Sequence, residues 1–255
     1  MPELSWFSPV KISDHTLRKT LARAAEKYAN GKLIDLGCGT RPYENIFAPH
    51  TLSYFGVDFQ PTAAVNYGAD TKVDLYCDCT ATGLPDGSFN TLISTQVMEH
   101  IADTHKYLAE CKRLLTPGGI AILTVPLVWP CHAEPYDYFR FTPHGLRKVL
   151  ELNGFIVEEI SGSGFSFATA CQTFINSLLC GSRPTLWEKI FRRIALLTIV
   201  PILNMLALAV DGVQKEGPLC LNYFVAARKA WAQADPGRPQ LRPEHPRDPG
   251  EETTN

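Results

Sequence analysis

One turn in the chain leaves few folds open to it. The run Lys32-Leu33-Ile34-Asp35-Leu36 has the continuous apolar character of a strand buried on both faces, and it leads straight into Gly37-Cys38-Gly39. Glycines at that point permit a turn that a β-carbon would obstruct, and they let a ligand come close to the main chain. Strand, glycine turn and helix in succession is the pattern of a parallel sheet wound on both faces. The rest of the chain continues it. Strands are expected at 54–57, 73–76, 91–94, 120–125, 155–160 and 221–226. Helices are expected from Asp14 to about Asn30, from Thr104 to Leu115, and from Thr142-Pro143 to Leu152. Gly31, Pro117-Gly118-Gly119 and Gly154 stop them.

Composition narrows what such a domain can bind. A formal charge of −2 provides no basic field for a nucleic-acid backbone, so no nucleic-acid partner is expected. The N-terminus lacks the basic start and apolar stretch of a signal peptide, and the cysteines sit mostly in apolar segments; free thiols in a cytoplasmic setting are expected. Cys77-Asp78-Cys79 has no second pair at zinc-site spacing, so no metal is expected.

In an open parallel sheet the ligand binds beyond the carboxyl ends of the strands. A dinucleotide fingerprint would need a third glycine at position 42, which is Pro42, and that disfavours a nicotinamide-dependent oxidoreductase. The second strand ends at Asp58, nineteen residues after Gly39, where a carboxylate can accept from both hydroxyls of a ribose. Phe59 beside it is suited to covering one face of an adenine. The third strand is followed by Asp78, within reach of an adenine amino group.

With those residues in view, the chain resembles the class I S-adenosylmethionine (SAM)-dependent methyltransferases, in a type 11-like subgroup that includes enzymes encoded near bacterial cell-surface polysaccharide genes. The resemblance rests on LIDLGCGT, GVDF, CDCTATGLPDGSFNTLISTQVMEHI and RLLTPGGIAILTVP, in order, over roughly residues 30–160 plus the final strand. It implies an α/β, Rossmann-like sheet of about seven strands, the last antiparallel, with SAM as cofactor. Asp35, Gly37, Cys38 and Gly39 would then shape the methionine side of the pocket, and Asp58 would bind ribose. Asp78 and Cys79 would border the adenine, and Gln96 would lie against the sulfonium end. Arg41-Pro42-Tyr43 departs from the usual glycine after Gly-x-Gly-Thr and gives the pocket a bulkier lip, with Tyr43 placed to close over the cofactor.

Methyl transfer needs alignment of nucleophile, methyl and sulfur, and an oxygen nucleophile gains from a base. The segment 129–142, after the fifth strand, combines His132, Tyr136, Asp137, Tyr138 and Arg140. His132 is the first choice for the base and His100 the second, while Tyr136, Asp137, Tyr138 and Arg140 are candidates for the acceptor. Asp137 with Arg140 also reads as an ion pair bracing the loop.

Four segments follow: a core with an N-terminal helix over 1–160, an apolar helical insertion over 161–218, the last core strand over 219–229, and a disordered tail over 230–255. Residues 161–182 and 194–210 are uncharged, with Lys189, Arg192 and Arg193 between them. Seventeen helical residues rise about 26 Å, short of the ~30 Å hydrocarbon core. A hairpin of 162–217 lying on the inner membrane face is therefore expected, the other uses being a cap on the core or a homodimer interface. The expected acceptor is a small molecule or a lipid-linked, sugar-bearing one. The competing expectation is a non-catalytic SAM-fold scaffold anchored by the hairpin.

Overall fold

In the computed structural model, residues 4–60, 71–179, 184–213 and 216–230 are described. Seven strands form one sheet: β1 (Lys32–Leu36), β2 (Ser53–Asp58), β3 (Leu75–Tyr76), β4 (Phe89–Thr95), β5 (Leu115–Pro126), β6 (Phe155–Phe165) and β7 (Cys220–Lys229). Their order is β3-β2-β1-β4-β5-β7-β6. Strands β1 to β5 pair in parallel, and β7 runs antiparallel to both neighbours. Strand order reverses between β1 and β4, so a crevice opens beyond their carboxyl ends.

Alternating residues send alternate side chains to the two faces. Ile34, Leu36, Leu92, Ala121 and Leu123 pack with Tyr107, Leu108, Leu146 and Leu150 of α3 (Thr104–Leu114) and α4 (Pro143–Leu152). Leu33, Ile93, Ile120 and Ile122 meet Leu17, Leu21, Ala24 and Ala25 of α1 (Lys11–Tyr28) on the other face. Covering both faces explains why these strands lack polar alternation. A short α2 (Glu44–Phe47) follows the glycine turn.

Several boundaries differ from the sequence expectation; β5, for one, begins at Leu115 rather than Ile120, because Leu115 pairs with Phe89 of β4 ahead of the Pro117-Gly118-Gly119 turn. Helix α1 starts at Lys11, not Asp14, because Asp14 does not cap it but sits in its first turn, accepting from Arg18 Nε at 2.9 Å. Strand β6 continues past Ile160 to Phe165, although Ser161-Gly162-Ser163-Gly164 has loop composition. That extension pairs with β7 (Ser161 with Phe224, Gly162 with Tyr223, Ser163 with Asn222), so the helical insertion begins at Ser166 rather than 161. The apolar run 194–210 is not one helix. It divides between α6 (Leu186–Leu197) and α7 (Ile199–Asp211), bent by 40°, and no single described helix is long and apolar enough to cross a membrane.

Helices α5 (Ser166–Leu179) and α7 bury Ala168, Cys171, Ile175, Val200 and Ala207 against Ile12 and Leu221. Two buried amides tie this layer to the N-terminal segment. Gln172 Nε2 donates to Pro9 O at 2.7 Å, and Asn204 Nδ2 to Trp6 O at 2.6 Å. The tail expected from residue 230 lies outside the described residues beyond Ala230.

Candidate active site

At the crevice the glycine turn is locked to the second strand. Gly37 and Cys38 N–H both donate to Val57 O, at 2.8 and 3.0 Å, and Gly39 N–H donates to Asp58 Oδ2 at 2.7 Å. Gly37 has φ +80° and Gly39 φ +50°, and a β-carbon on Gly37 would stand 2.4 Å from Val97 Cγ2. Glycine at 37 is thus required by conformation and by the approach of the segment after β4.

The Asp58 carboxylate is buried and also accepts from Phe59 N–H at 2.7 Å. Burial pushes its pKa up, and those two backbone donors pull it down. Each carboxylate oxygen retains a lone pair for a further donor. Asp35, at the end of β1, is pushed up to about 7 chiefly by burial, against the hydrogen bond from the Tyr54 hydroxyl. Its Oδ1 is buried with no hydrogen-bond partner. Such an atom at the mouth of a glycine turn suits a ligand that brings a donor.

Gln96 closes the other side of the crevice in a left-handed conformation (φ +57°), its N–H bonded to Thr124 O at 2.9 Å and its Nε2 to Thr124 Oγ1 at 3.2 Å. A glutamine held there, between two parallel strands, is strain of the kind that marks binding sites. Cys38 is buried within the turn, its thiol pushed up to about 12 by that burial. Phe59 is half exposed at the end of β2, as covering a flat ligand requires. Asp78 is exposed and accepts from Thr80 N–H at 2.7 Å, whereas Cys79 is buried in the sheet's core. Tyr43 caps α2 and carries the Arg18 guanidinium over its ring at 5.3 Å, packed beside the α1 layer.

The lip is built by Arg41, in a left-handed conformation with φ +55°. Its guanidinium pairs with Asp74 and Glu44 and stacks on Tyr54 at 5.5 Å. Gly56 makes room for it, since a β-carbon there would stand 2.8 Å from Arg41 Nε.

The two candidate histidines, one after β4 and one after β5, meet edge to face with ring centroids 4.7 Å apart. His100 Nδ1 bonds to Tyr136 O at 2.8 Å, and burial lowers its pKa. His132 Nδ1 lies 3.2 Å from Asp137 Oδ2, and the His132 N–H donates to the same oxygen at 3.0 Å. Arg140 grips Asp137 with two bonds of 2.6 and 2.7 Å and also reaches the Trp129 and Pro130 carbonyls. That grip holds the Asp137 carboxyl well below its usual range. Asp137 and Arg140 therefore brace the loop and aim His132, while the exposed rings of Tyr136 and Tyr138 line its outer side.

Glu99 completes this cluster, and sequence reasoning does not single it out. It is fully buried, neither carboxylate oxygen has a hydrogen-bond partner, and burial pushes it up to about 8. The residue stands in Met98-Glu99-His100, but an acid beside a histidine at a turn carries no mark of burial.

A cavity of about 490 Å³ adjoins the loop, lined by Leu127, Val128, Trp129 and Pro130 on one side and Thr173, Asn176 and Ser177 of α5 on the other.

A doubly wound sheet with a glycine turn tied to an acid at the end of the next strand defines a nucleoside-binding domain of the class I methyltransferase type. The sequence model of the methyltransferase domain family matches residues 11–160, more than half of the 255, and the chain belongs to that family. A protein of Mycolicibacterium smegmatis named "Probable S-adenosylmethionine-dependent methyltransferase" is 27% identical over 55% of this chain and 58% of its own. A "Ubiquinone biosynthesis O-methyltransferase" of Mesorhizobium japonicum is 29% identical over 45% of this chain and 50% of its own. The chain thus spans little more than half the length of these relatives. The crystal structure of a SAM dependent methyltransferase from Archaeoglobus fulgidus shares the fold, with TM-score 0.53 and 16% identity over 86% of this chain and 97% of the other.

Proposed function

We propose that the protein transfers a methyl group from SAM to an oxygen of a small or lipid-linked acceptor. The observation that carries this reading is the Gly37–Gly39 turn fastened to Asp58, with the unpartnered Asp35 Oδ1 beside it. When bound, SAM supplies a methyl activated by its sulfonium. Asp58 would hold it by accepting from the ribose hydroxyls, and Asp35 by accepting from the methionine end. Gln96 fixes the side wall where the methyl would point. His100 and His132 are the groups next to that wall suited to handling the acceptor's proton.

Oxygen as the nucleophile is favoured by the two imidazoles and by the activity for which the Mesorhizobium relative is named. An amphipathic acceptor is favoured by the cavity between the 127–130 segment and α5. Peripheral contact with the inner face of a membrane, through the exposed apolar side of α6 and α7, belongs to the same reading.

Calorimetric titration with SAM, S-adenosylhomocysteine and NAD tests the donor. SAM and S-adenosylhomocysteine should bind and NAD should not, and D58A should weaken binding by about 1.5–3 kcal/mol. Preference for NAD, or SAM affinity unchanged in D58A, would sink the reading. Labelled SAM added to a cell extract, followed by partition into lipid and aqueous fractions, then assigns the acceptor class. SAM binding with no transfer to any fraction would instead favour a non-catalytic scaffold.

A further inference from the structure

Glu99 is an unexplained residue of the acceptor side. Both of its carboxylate oxygens are buried without a hydrogen-bond partner. Ionised or protonated, a carboxyl group removed from water with no hydrogen-bond partner is costly, and its persistence calls for a partner of another kind. His100 Nε2 lies 3.8 Å from Glu99 Oε1, and the His132 ring stands edge to face against that of His100. One donor atom from each of the three residues falls within 4.8 Å of the other two. Bonds of about 2.0–2.2 Å to a zinc-like ion set neighbouring donors about 3–4 Å apart. The His100 Nε2–Glu99 Oε1 separation falls within that range, and the 4.8 Å spread of the set lies a little beyond it.

The contacts behind the histidines make a second, independent observation. A carbonyl oxygen only accepts, so the bond of His100 Nδ1 to Tyr136 O puts the proton on Nδ1 and leaves the Nε2 lone pair free. His132 Nδ1 faces the Pro130 carbonyl and Asp137 Oδ2, each at 3.2 Å, with the same consequence. Asp137 is in turn gripped by Arg140. Histidine ligands of metals are held in this manner, one nitrogen donating to a carbonyl or carboxylate and the other aimed at the ion.

We propose that Glu99, His100 and His132 form a site for a divalent transition cation, zinc or a close relative, with its remaining coordination positions open toward the acceptor. Two imidazoles and one carboxylate are a donor set for zinc, cobalt, manganese or ferrous iron. Cysteine spacing, the one signal of metal in the sequence, does not bear on such a set. The site deepens the methyl-transfer reading and rests on it for its role. A cation there would acidify an acceptor hydroxyl reaching its open position; His100 and His132, as its ligands, would then hold the ion instead of taking the proton, which would pass to solvent. The acceptor oxygen then bonds to the methyl carbon as the carbon–sulfur bond breaks, leaving S-adenosylhomocysteine.

The test titrates the untagged full chain, stripped with a chelator, with Co²⁺ and then Zn²⁺, with and without S-adenosylhomocysteine. Co²⁺ should bind at one equivalent, develop visible absorption of a nitrogen- and oxygen-ligated ion, and be displaced by Zn²⁺. E99Q, H100A and H132A should each weaken Co²⁺ binding about tenfold or more. Retained affinity for S-adenosylhomocysteine in each variant shows that the fold survives. If E99Q does not fold, H100A and H132A, at partly exposed positions, decide the matter. Absence of one-equivalent binding by the unaltered chain overturns the site, as does binding unchanged in H100A and H132A. A chain that binds Co²⁺ as described but not S-adenosylhomocysteine upholds the site and overturns the methyl-donor reading. The converse result overturns the site alone.

Discussion

Glu110 of α3 is nearly inaccessible, yet it meets four donors. Oε1 accepts from Thr82 N–H at 2.9 Å, from the Thr82 hydroxyl, and from Arg113 Nη2 at 2.7 Å, while Oε2 accepts from Arg113 Nε at 2.8 Å. The Arg113 guanidinium, as the largest cause, holds the Glu110 carboxyl down at about 2, against 4.5 in the unfolded chain. Because the folded value is the lower one, this stability is fully present above about pH 4.5. It is lost as pH falls toward 2. The difference corresponds to about 3 kcal/mol, reduced toward 2 by the solvent around the partly exposed Arg113. E110Q should accordingly lower the urea midpoint at pH 7 and flatten the acid limb seen in the unaltered chain. Equal slopes for the two proteins between pH 5 and 2 would refute the assignment. The pair also anchors the segment that carries Asp78 and Cys79, so E110Q should weaken SAM binding modestly in the same samples. A sharper loss is expected of G37A, where a β-carbon enters the 2.4 Å gap to Val97 at a positive φ. A cost of about 1–3 kcal/mol in stability, with SAM affinity falling alongside, is the outcome to measure. Gly37, Gly39 and Asp58 are legible in the sequence because strand ends in this topology converge on one crevice. Glu99 and Tyr54 are not, and of Arg41 only its place in the lip is, not its pairing with Asp74 and Glu44. Their roles depend on burial and on partners far along the chain, which no local spacing encodes.

Apolar patterning locates all seven strands, because each has apolar side chains on a covered side; in the two-residue β3 that signal comes down to Leu75. Where it falls short is β6. Ser161-Gly162-Ser163-Gly164 has no apolar repeat, and only pairing with β7 makes it strand. The glycine there answers a steric demand. A β-carbon on Gly162 would stand 2.9 Å from Phe165 Cε1 and 3.0 Å from Cys220 Cβ. G162V should therefore part the end of β6 from β7 at a cost of about 1–3 kcal/mol. Amide hydrogen exchange should speed up at Cys220–Asn222 while that of β1 and β4 stays slow. Unchanged exchange at β7 would mean that the extension contributes little. The element matters for function because β6 leads into α5, which supplies one wall of the cavity beside the 127–130 segment.

On the scale of the whole molecule, the insertion has one satisfied face and one that is not. Inward residues such as Ala195, Val200 and Ala207 are fully covered, whereas Trp187 is 79% exposed, Phe191 50%, Ile194 56% and Met205 56%. An exposed apolar face of this kind marks a contact surface. Lys189, Arg192 and Arg193 share α6 with that face, and basic residues flanking Trp and Phe favour an anionic lipid surface over a purely apolar partner. Each basic residue near such a surface adds about 1 kcal/mol. Membrane contact therefore predicts that the intact chain floats with vesicles rich in phosphatidylglycerol, less with neutral ones, and less as salt rises. F191E together with I194E should abolish flotation without lowering SAM affinity, since neither residue lines the crevice. A homodimer through the same face predicts the reverse pattern: a concentration-dependent mass of two chains in sedimentation, reduced to one by the double substitution, with no flotation before or after it. If flotation persists in the double variant, the apolar face is not the membrane contact; if the unaltered chain does not float at all, the acceptor must reach the cavity beside Trp129 from solution.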